Sequence, residues 1–127
     1  MSRILVLDHH KHLRQLYLHE LKREGYEVVL AADAPEALEK LERFRPDLVV
    51  MDIHLERMGG KTAVAKAMDR MRGTPVILNT SFDAPEAHML SWIADACVTK
   101  SSDLSELKEQ IRETLAQNLR KEMEVHA

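Results

Sequence analysis

Short apolar runs alternate along the chain with longer stretches in which apolar residues recur every three or four positions. Ile4-Leu5-Val6-Leu7 is too short for a helix, and Leu13, Leu16, Tyr17 and Leu21 follow it at helical spacing. Gly25 stops that helix, and Tyr26 to Ala31 reads as a second strand. Asp33 is placed to cap a helix with Pro35 in its first turn and Ala37, Leu38, Leu41 and Phe44 on one face, closed by Pro46. Leu48-Val49-Val50-Met51 is a third run. A loop through Gly59-Gly60 leads to a helix from about Thr62 to Met71, ended by Gly73. Pro75 to Leu78 opens a fourth strand, Asp83 with Pro85 starts a helix reaching Ile93, and Ala96-Cys97-Val98 is a fifth strand. Ser101 or Ser102 caps a last amphipathic helix carrying Leu104, Leu107, Ile111, Leu115 and Leu119, with Glu122 to Ala127 expected to fray.

Strands alternating with helices through short loops predict an α/β fold with a five-stranded parallel sheet covered on both faces, because parallel neighbours need crossover helices. Ligands of such sheets bind at the carboxyl ends of the strands, beside the point where strand order reverses. Four strands end there in polar residues: Asp8-His9, Asp52, Asn79-Thr80-Ser81 and Thr99-Lys100. A carboxylate, a hydroxyl and an ammonium brought together from three strands would suit nucleophilic attack on an electrophile whose oxyanion the lysine pairs.

Length and charge narrow the setting. The 127 residues suit one domain, and a net charge of −3 gives no reason to expect nucleic acid or an anionic membrane surface as partner. No apolar run approaches a membrane span, and Met-Ser-Arg leads into a strand rather than a signal peptide, so a cytoplasmic location is expected. Cys97 is the only cysteine, which excludes an internal disulfide and leaves a small buried hydrophobe as its expected role. Neither a glycine-rich phosphate loop nor a serine-histidine-acid pattern points to an independent enzyme acting on metabolites.

The stretches ILVLD, PDLVVMDIHLERMGG, TPVILNTS and VTK, in that order and spacing, make the chain from Arg3 to about Leu119 resemble the receiver domain of two-component response regulators. The resemblance implies a flavodoxin-like (βα)5 three-layer sandwich, a receiver over residues 1–122 and a tail over 123–127. It implies that Asp52 accepts a phosphoryl group from a sensor histidine kinase, a phosphotransfer protein or a small phosphodonor. Thr80 then falls on the hydroxyl that moves toward the phosphoryl group, Lys100 on the lysine that pairs with it, and Asp8 on the first of two acidic residues that serve Mg2+. A downstream protein partner, and pairing of two copies through the face of the predicted fourth helix, fifth strand and fifth helix, also follow. Trp92 lies on that face.

Several residues depart from the family pattern. His9 stands where the second acidic residue is usual, and Mg2+ prefers oxygen ligands whereas imidazole suits transition ions. Weakened Mg2+ binding is the expectation, and Asp8, His9 and Asp52, with His54 as a further candidate, are read as a possible transition-metal set. Carboxylates around His9 are expected to raise its pKa. Cys97 replaces the usual aromatic residue, Ile93 a glycine, and Ser101 the proline after the lysine, so a trans Lys100–Ser101 bond is expected in place of a cis bond costing about 3–4 kcal/mol. Phe82 is expected to obstruct attacking water. His10, His12 and His19 read as solvated, and Met58, Met68, Met71 and Met89 as filler or surface residues. Two alternatives stand beside the phosphorylatable receiver: a pseudo-receiver docking module that works without phosphorylation, and a metal-binding module.

Overall fold

The apolar runs become strands of one sheet. In the computed structural model, which describes residues 1–52, 54, 59–80, 94–101 and 103–126, the order is β1 (Arg3–Leu7), α1 (Lys11–Arg23), β2 (Glu27–Ala31), α2 (Ala34–Phe44) and β3 (Leu48–Met51). Then come α3 (Gly60–Arg70), β4 (Val76–Thr80), β5 (Ala96–Thr99) and a C-terminal helix (Ser105–His126). The strands lie in the order β2-β1-β3-β4-β5 and every pairing is parallel. The chain turns outward from β1 to β2 and then crosses to β3 on the other side. The carboxyl ends of β1 and β3 therefore form the switch point at which such sheets hold ligands.

The pleat divides the core in two. Leu5, Leu7, Val49, Met51, Val76 and Leu78 point to the face covered by α2 and α3, where Ala34, Ala37, Leu41, Val64 and Ala67 meet them. Ile4, Val6, Leu48, Val50, Ile77 and Val98 point to the opposite face, where Tyr17 and Leu21 of α1 pack with Leu107 and Ile111 of the C-terminal helix. Strands buried on both faces cannot alternate apolar with polar residues, which is why β1 and β3 read as continuous runs.

Local chemistry sets the helix ends. Asp33 accepts from the Glu36 backbone N–H at 2.9 Å, as its capping position requires, and Pro35 occupies the first turn of α2. After α1, Gly25 adopts φ +95° while its N–H donates to Lys22 O and the Tyr26 N–H donates to Leu21 O, the paired bonds of a glycine-terminated helix. Gly59 is held more tightly. Its φ is +100°, and a Cβ there would stand 3.1 Å from Ala63 Cβ and 3.3 Å from Pro35, so the starts of α2 and α3 approach through a position only glycine fits.

Asn79 and Thr80 end β4, pairing with Val98 and Thr99, as expected of that strand's polar end. Other details correct the sequence reading. The C-terminal helix starts at Ser105, further on than a Ser101 cap would place it: Asp103 Oδ1 accepts from the Ser105 N–H at 2.9 Å, and Ser101 Oγ accepts from the Asp103 N–H. That helix continues to His126, where fraying was expected, and Leu119 on it is exposed. Leu16 of α1 is likewise exposed. Cys97 is exposed rather than buried, because it alternates with Ala96 and Val98 on the last strand of the sheet, and those two take the face packed by the C-terminal helix. The Lys100–Ser101 bond is trans. The predicted helix from Asp83 to Ile93, with Trp92, Met89, Phe82 and Ser81, lies outside the described residues, as do Met58 and Ser102.

Candidate functional site

The sheet ladder carries each polar strand end into position. Leu7 pairs with Met51 across β1 and β3, and one step further the Asp52 N–H donates to Leu7 O at 2.8 Å. The Asp8 N–H donates to Ala31 O at 3.1 Å, and the Lys100 N–H to Thr80 O at 2.8 Å. Parallel register therefore fixes the backbones of Asp8, Asp52 and Lys100 before any side chain contact forms.

Both carboxylates are buried, with Asp8 1% and Asp52 2% exposed. Buried charges need a counter-charge, and Lys100 supplies it. Its Nζ donates to Asp8 Oδ2 at 2.8 Å and lies 3.1 Å from Asp52 Oδ2. The second contact is an ion pair by distance without hydrogen-bond alignment. Both Asp52 oxygens are thus buried with no aligned hydrogen-bond partner among the described residues, and Thr80 Oγ1 is in the same condition. Burial opposes the charge on Lys100, but the Asp8 hydrogen bond and the Asp52 carboxylate outweigh it and hold the ammonium above its ordinary pKa.

Asp8 is further tied by the helix that follows. Its Oδ1 accepts from the His10 N–H at 2.8 Å, and its carbonyl accepts from Arg14 Nη1 at 2.8 Å, so the turn into α1 is built on the aspartate. That turn brings imidazoles to the carboxylates. His9 Nδ1 lies 3.4 Å from Asp52 Oδ2, His10 Nδ1 lies 3.3 Å from Asp8 Oδ1, and His54 Nε2 lies 3.9 Å from Asp52 Oδ2. The His9 ring has the His10 ring at 3.8 Å and the edge of His54 at 4.8 Å.

His9 reverses the expected direction of its titration. Burial and the adjacent His10 lower its pKa more than Asp52 raises it, leaving a neutral imidazole at neutral pH where a partly charged one was anticipated. Behind the site, buried Asn79 donates from Nδ2 to Tyr17 Oη at 3.0 Å, tying β4 to α1. Burial pushes the Tyr17 hydroxyl pKa up.

The sequence-predicted residues Asp8, His9, Asp52 and Lys100 all gather at one edge, with His54 beside them. Thr80 is buried one residue beyond Asn79 on the same edge. His10, read as solvated, is half-exposed yet turned toward Asp8. What the sequence offered as a signal was the Asp-x-His spacing, in which an aspartate at a strand end can accept from the backbone two residues on. Asn79 and Tyr17 were also missed as a pair, because 62 residues separate them.

Comparison with known proteins identifies the family to which this fold belongs. Residues 4–112 match the family described as the response regulator receiver domain. The chain is 32% identical over 114 residues, 88% of its length, to the probable transcriptional regulatory protein TcrX of Mycobacterium tuberculosis. It spans only 49% of that relative, about half. Among solved structures, it is similar to a CheY-like response regulator receiver domain protein of Methanospirillum hungatei, at 32% identity and TM-score 0.83, covering 95% of this chain and 98% of that one. It is also similar to the response regulator TrrA of Thermotoga maritima, at 34% identity and TM-score 0.77, covering 89% and 98%. TrrA was solved in complex with Mg2+-BeF, and separately in complex with the histidine kinase ThkA.

Proposed function

The chain belongs to the response regulator receiver domain family, and from that premise we propose that it accepts a phosphoryl group on Asp52 and signals through protein contacts. The observation that carries this reading is the state of Asp52: a buried carboxylate with both oxygens unpartnered by hydrogen bonds among the described residues, facing Lys100 at 3.1 Å. In the proposed step an Asp52 oxygen forms a P–O bond while the donor's P–N or P–O bond breaks. A leaving histidine imidazole takes up a proton, and a leaving acetate departs as the anion. Lys100 balances charge on the transferred group, and the Thr80 hydroxyl, which has no hydrogen-bond partner among the described residues, donates to it.

Mg2+ is the ion of the TrrA complex, and the donors here fit it poorly. Asp8 and Asp52 offer hard oxygens, but His9 brings a nitrogen within 3.4 Å of Asp52 Oδ2. No step above passes through Mg2+. Replacing the imidazole, His9→Asp, is expected to raise Mg2+ affinity in a titration.

The kinase complex of TrrA supports a histidine kinase, or a phosphotransfer protein charged by one, as the donor for this chain, with acetyl phosphate as a small substitute. The chain receives phosphate rather than turning over a substrate, and the same reading places it in the cytoplasm beside that kinase. Among the described residues no helix is long and apolar enough to cross a membrane. A downstream protein, or a second copy docked on the face of β5 and the C-terminal helix, would read the modification. Intact mass after incubation with acetyl phosphate tests the proposal. An added phosphoryl group lost in Asp52→Asn is the expected result. No addition with Mg2+, with Mn2+, with Zn2+ or with chelator would overturn it in favour of a docking module that works unmodified.

A further inference from the structure

Four side chains at the switch point offer one donor atom each within 4.8 Å of one another: Asp8, His9, His10 and Asp52. We propose that they form a site for a borderline divalent transition ion, Zn2+, Ni2+ or Co2+, in which His10 is a ligand and Mg2+ is disfavoured.

Two of the separations already suit such an ion, and all four donor atoms lie within 4.8 Å of one another. Metal bonds of about 2.0–2.2 Å in a tetrahedral array put neighbouring ligand atoms roughly 3.3–3.6 Å apart. His9 Nδ1 and Asp52 Oδ2 are 3.4 Å apart, and His10 Nδ1 and Asp8 Oδ1 are 3.3 Å apart. Carboxylates clustered by themselves would say little, but the His9 side chain is nine-tenths buried and its Nδ1 faces Asp52 with no aligned hydrogen-bond partner among the described residues. With its proton on Nε2, His9 would turn the Nδ1 lone pair toward the carboxylate, an arrangement that a cation between them resolves.

Lys100 engages the Oδ2 atoms of Asp8 and Asp52, including the Asp52 oxygen that His9 faces; Asp8 Oδ1 is turned to His10, and Asp52 Oδ1, without a hydrogen-bond partner among the described residues, is the oxygen open to an ion. Two imidazole nitrogens and two carboxylate oxygens select against a hard octahedral ion and for a borderline one, since imidazole suits Zn2+ and Ni2+ while Mg2+ demands oxygen. His54, 3.9 Å from Asp52 and edge-on to His9, lies beside the set as an orienting neighbour.

The site is tested on the unphosphorylated full chain with metal salts alone, so failure of phosphoryl transfer would leave it standing. Calorimetric titration should show one equivalent of Zn2+, Ni2+ or Co2+ and weaker binding of Mg2+, with Co2+ giving visible absorption bands of an imidazole-carboxylate complex. His9→Ala and His10→Ala should each lower Zn2+ affinity at least about tenfold, since even outer partners of metal ligands are worth about 10–100-fold. His12→Ala, exposed on the same helix, should leave it unchanged. Mg2+ binding as tight as Zn2+, wild-type affinity in both His9→Ala and His10→Ala, or an equal loss in His12→Ala would each overturn the proposal.

Discussion

Lys100 and Lys108 each sit between two carboxylates, one at the sheet edge and the other eight residues later on the C-terminal helix. Lys100 Nζ is 2.8 Å from Asp8 and 3.1 Å from Asp52, whose side chains are 1% exposed. Lys108 Nζ is 3.3 Å from Glu20 and 3.3 Å from Glu24, whose side chains are 21% and 39% exposed. Charge count and spacing are nearly the same. Water decides the difference. The glutamates remain solvated whether or not the lysine is present, so their bridge is a loose tie between α1 and the C-terminal helix. The aspartates have given up hydration, and among the described residues their mutual repulsion is held by the ammonium and by hydrogen bonds to Asp8. An arrangement so costly for stability makes sense as reactivity held in store under the proposed function: Asp52 is buried, and among the described residues its oxygens have no aligned hydrogen-bond partner.

The sharpest way to break the comparison is to remove each lysine in turn. Lys100→Ala leaves two buried carboxylates facing each other without a cation, and is expected to cost about 3–5 kcal/mol in urea unfolding. Adding Asp52→Asn removes one of the repelling charges. The double variant should therefore be more stable than Lys100→Ala alone, with a coupling of about 0.5–3 kcal/mol in the double-mutant cycle. Strict additivity would mean that Lys100 and Asp52 do not sense each other, and the account of the site would fail with it.

Next in size is the bond behind the site. Tyr17→Phe keeps the ring in the core but strips Asn79 Nδ2 of its partner, in a place where Asn79 is 3% exposed. An unsatisfied buried amide costs about 1–3 kcal/mol, and urea unfolding should report a loss in that range. Asn79→Leu in the same background is expected to recover part of it, because an apolar side chain has no hydrogen bond to miss. Loss without recovery would assign the effect of Tyr17→Phe to ring packing.

How far these features could be read in the sequence follows from how local their causes are. Strand identity was legible because β1 and β3 are buried on both faces and so appear as unbroken apolar runs, and the caps at Asp33 and Gly25 because each depends on neighbours within four residues. The convergence of Asp8, Asp52 and Lys100 was legible through strand ends and their order. Where the cause lay in space, reading failed. Asn79 was legible as a polar strand end, but not its partner: Tyr17, 62 residues away, satisfies its amide from another element. His9 was given the wrong direction of titration because its charge depends on burial and on His10, whose ring turns back only once Asp8 accepts its backbone N–H. Cys97 looked like core because the sequence does not say which face of the last strand it takes.

The smallest effect belongs to Lys108. Its hydrogen bonds to Glu24 and Glu20 raise its pKa, and the bond from Lys108 holds Glu20 below its ordinary value. A carboxylate lowered in the folded state contributes stability above its unfolded pKa, and that contribution is lost as pH falls through the lowered folded value. Lys108→Ala should therefore lower the melting temperature slightly at neutral pH, and the gap from the parent should close on acidification below the usual glutamate range. Salt should close it as well. At about 1 M the Debye length is about 3 Å, and partners this open to solvent are then screened. Lys100→Ala should keep most of its deficit in the same salt, because its aspartates are shielded from ions by the protein around them. Equal salt sensitivity of the two variants would mean that the sheet-edge pocket is as wet as the helix surface, and burial would no longer explain what separates the two lysines.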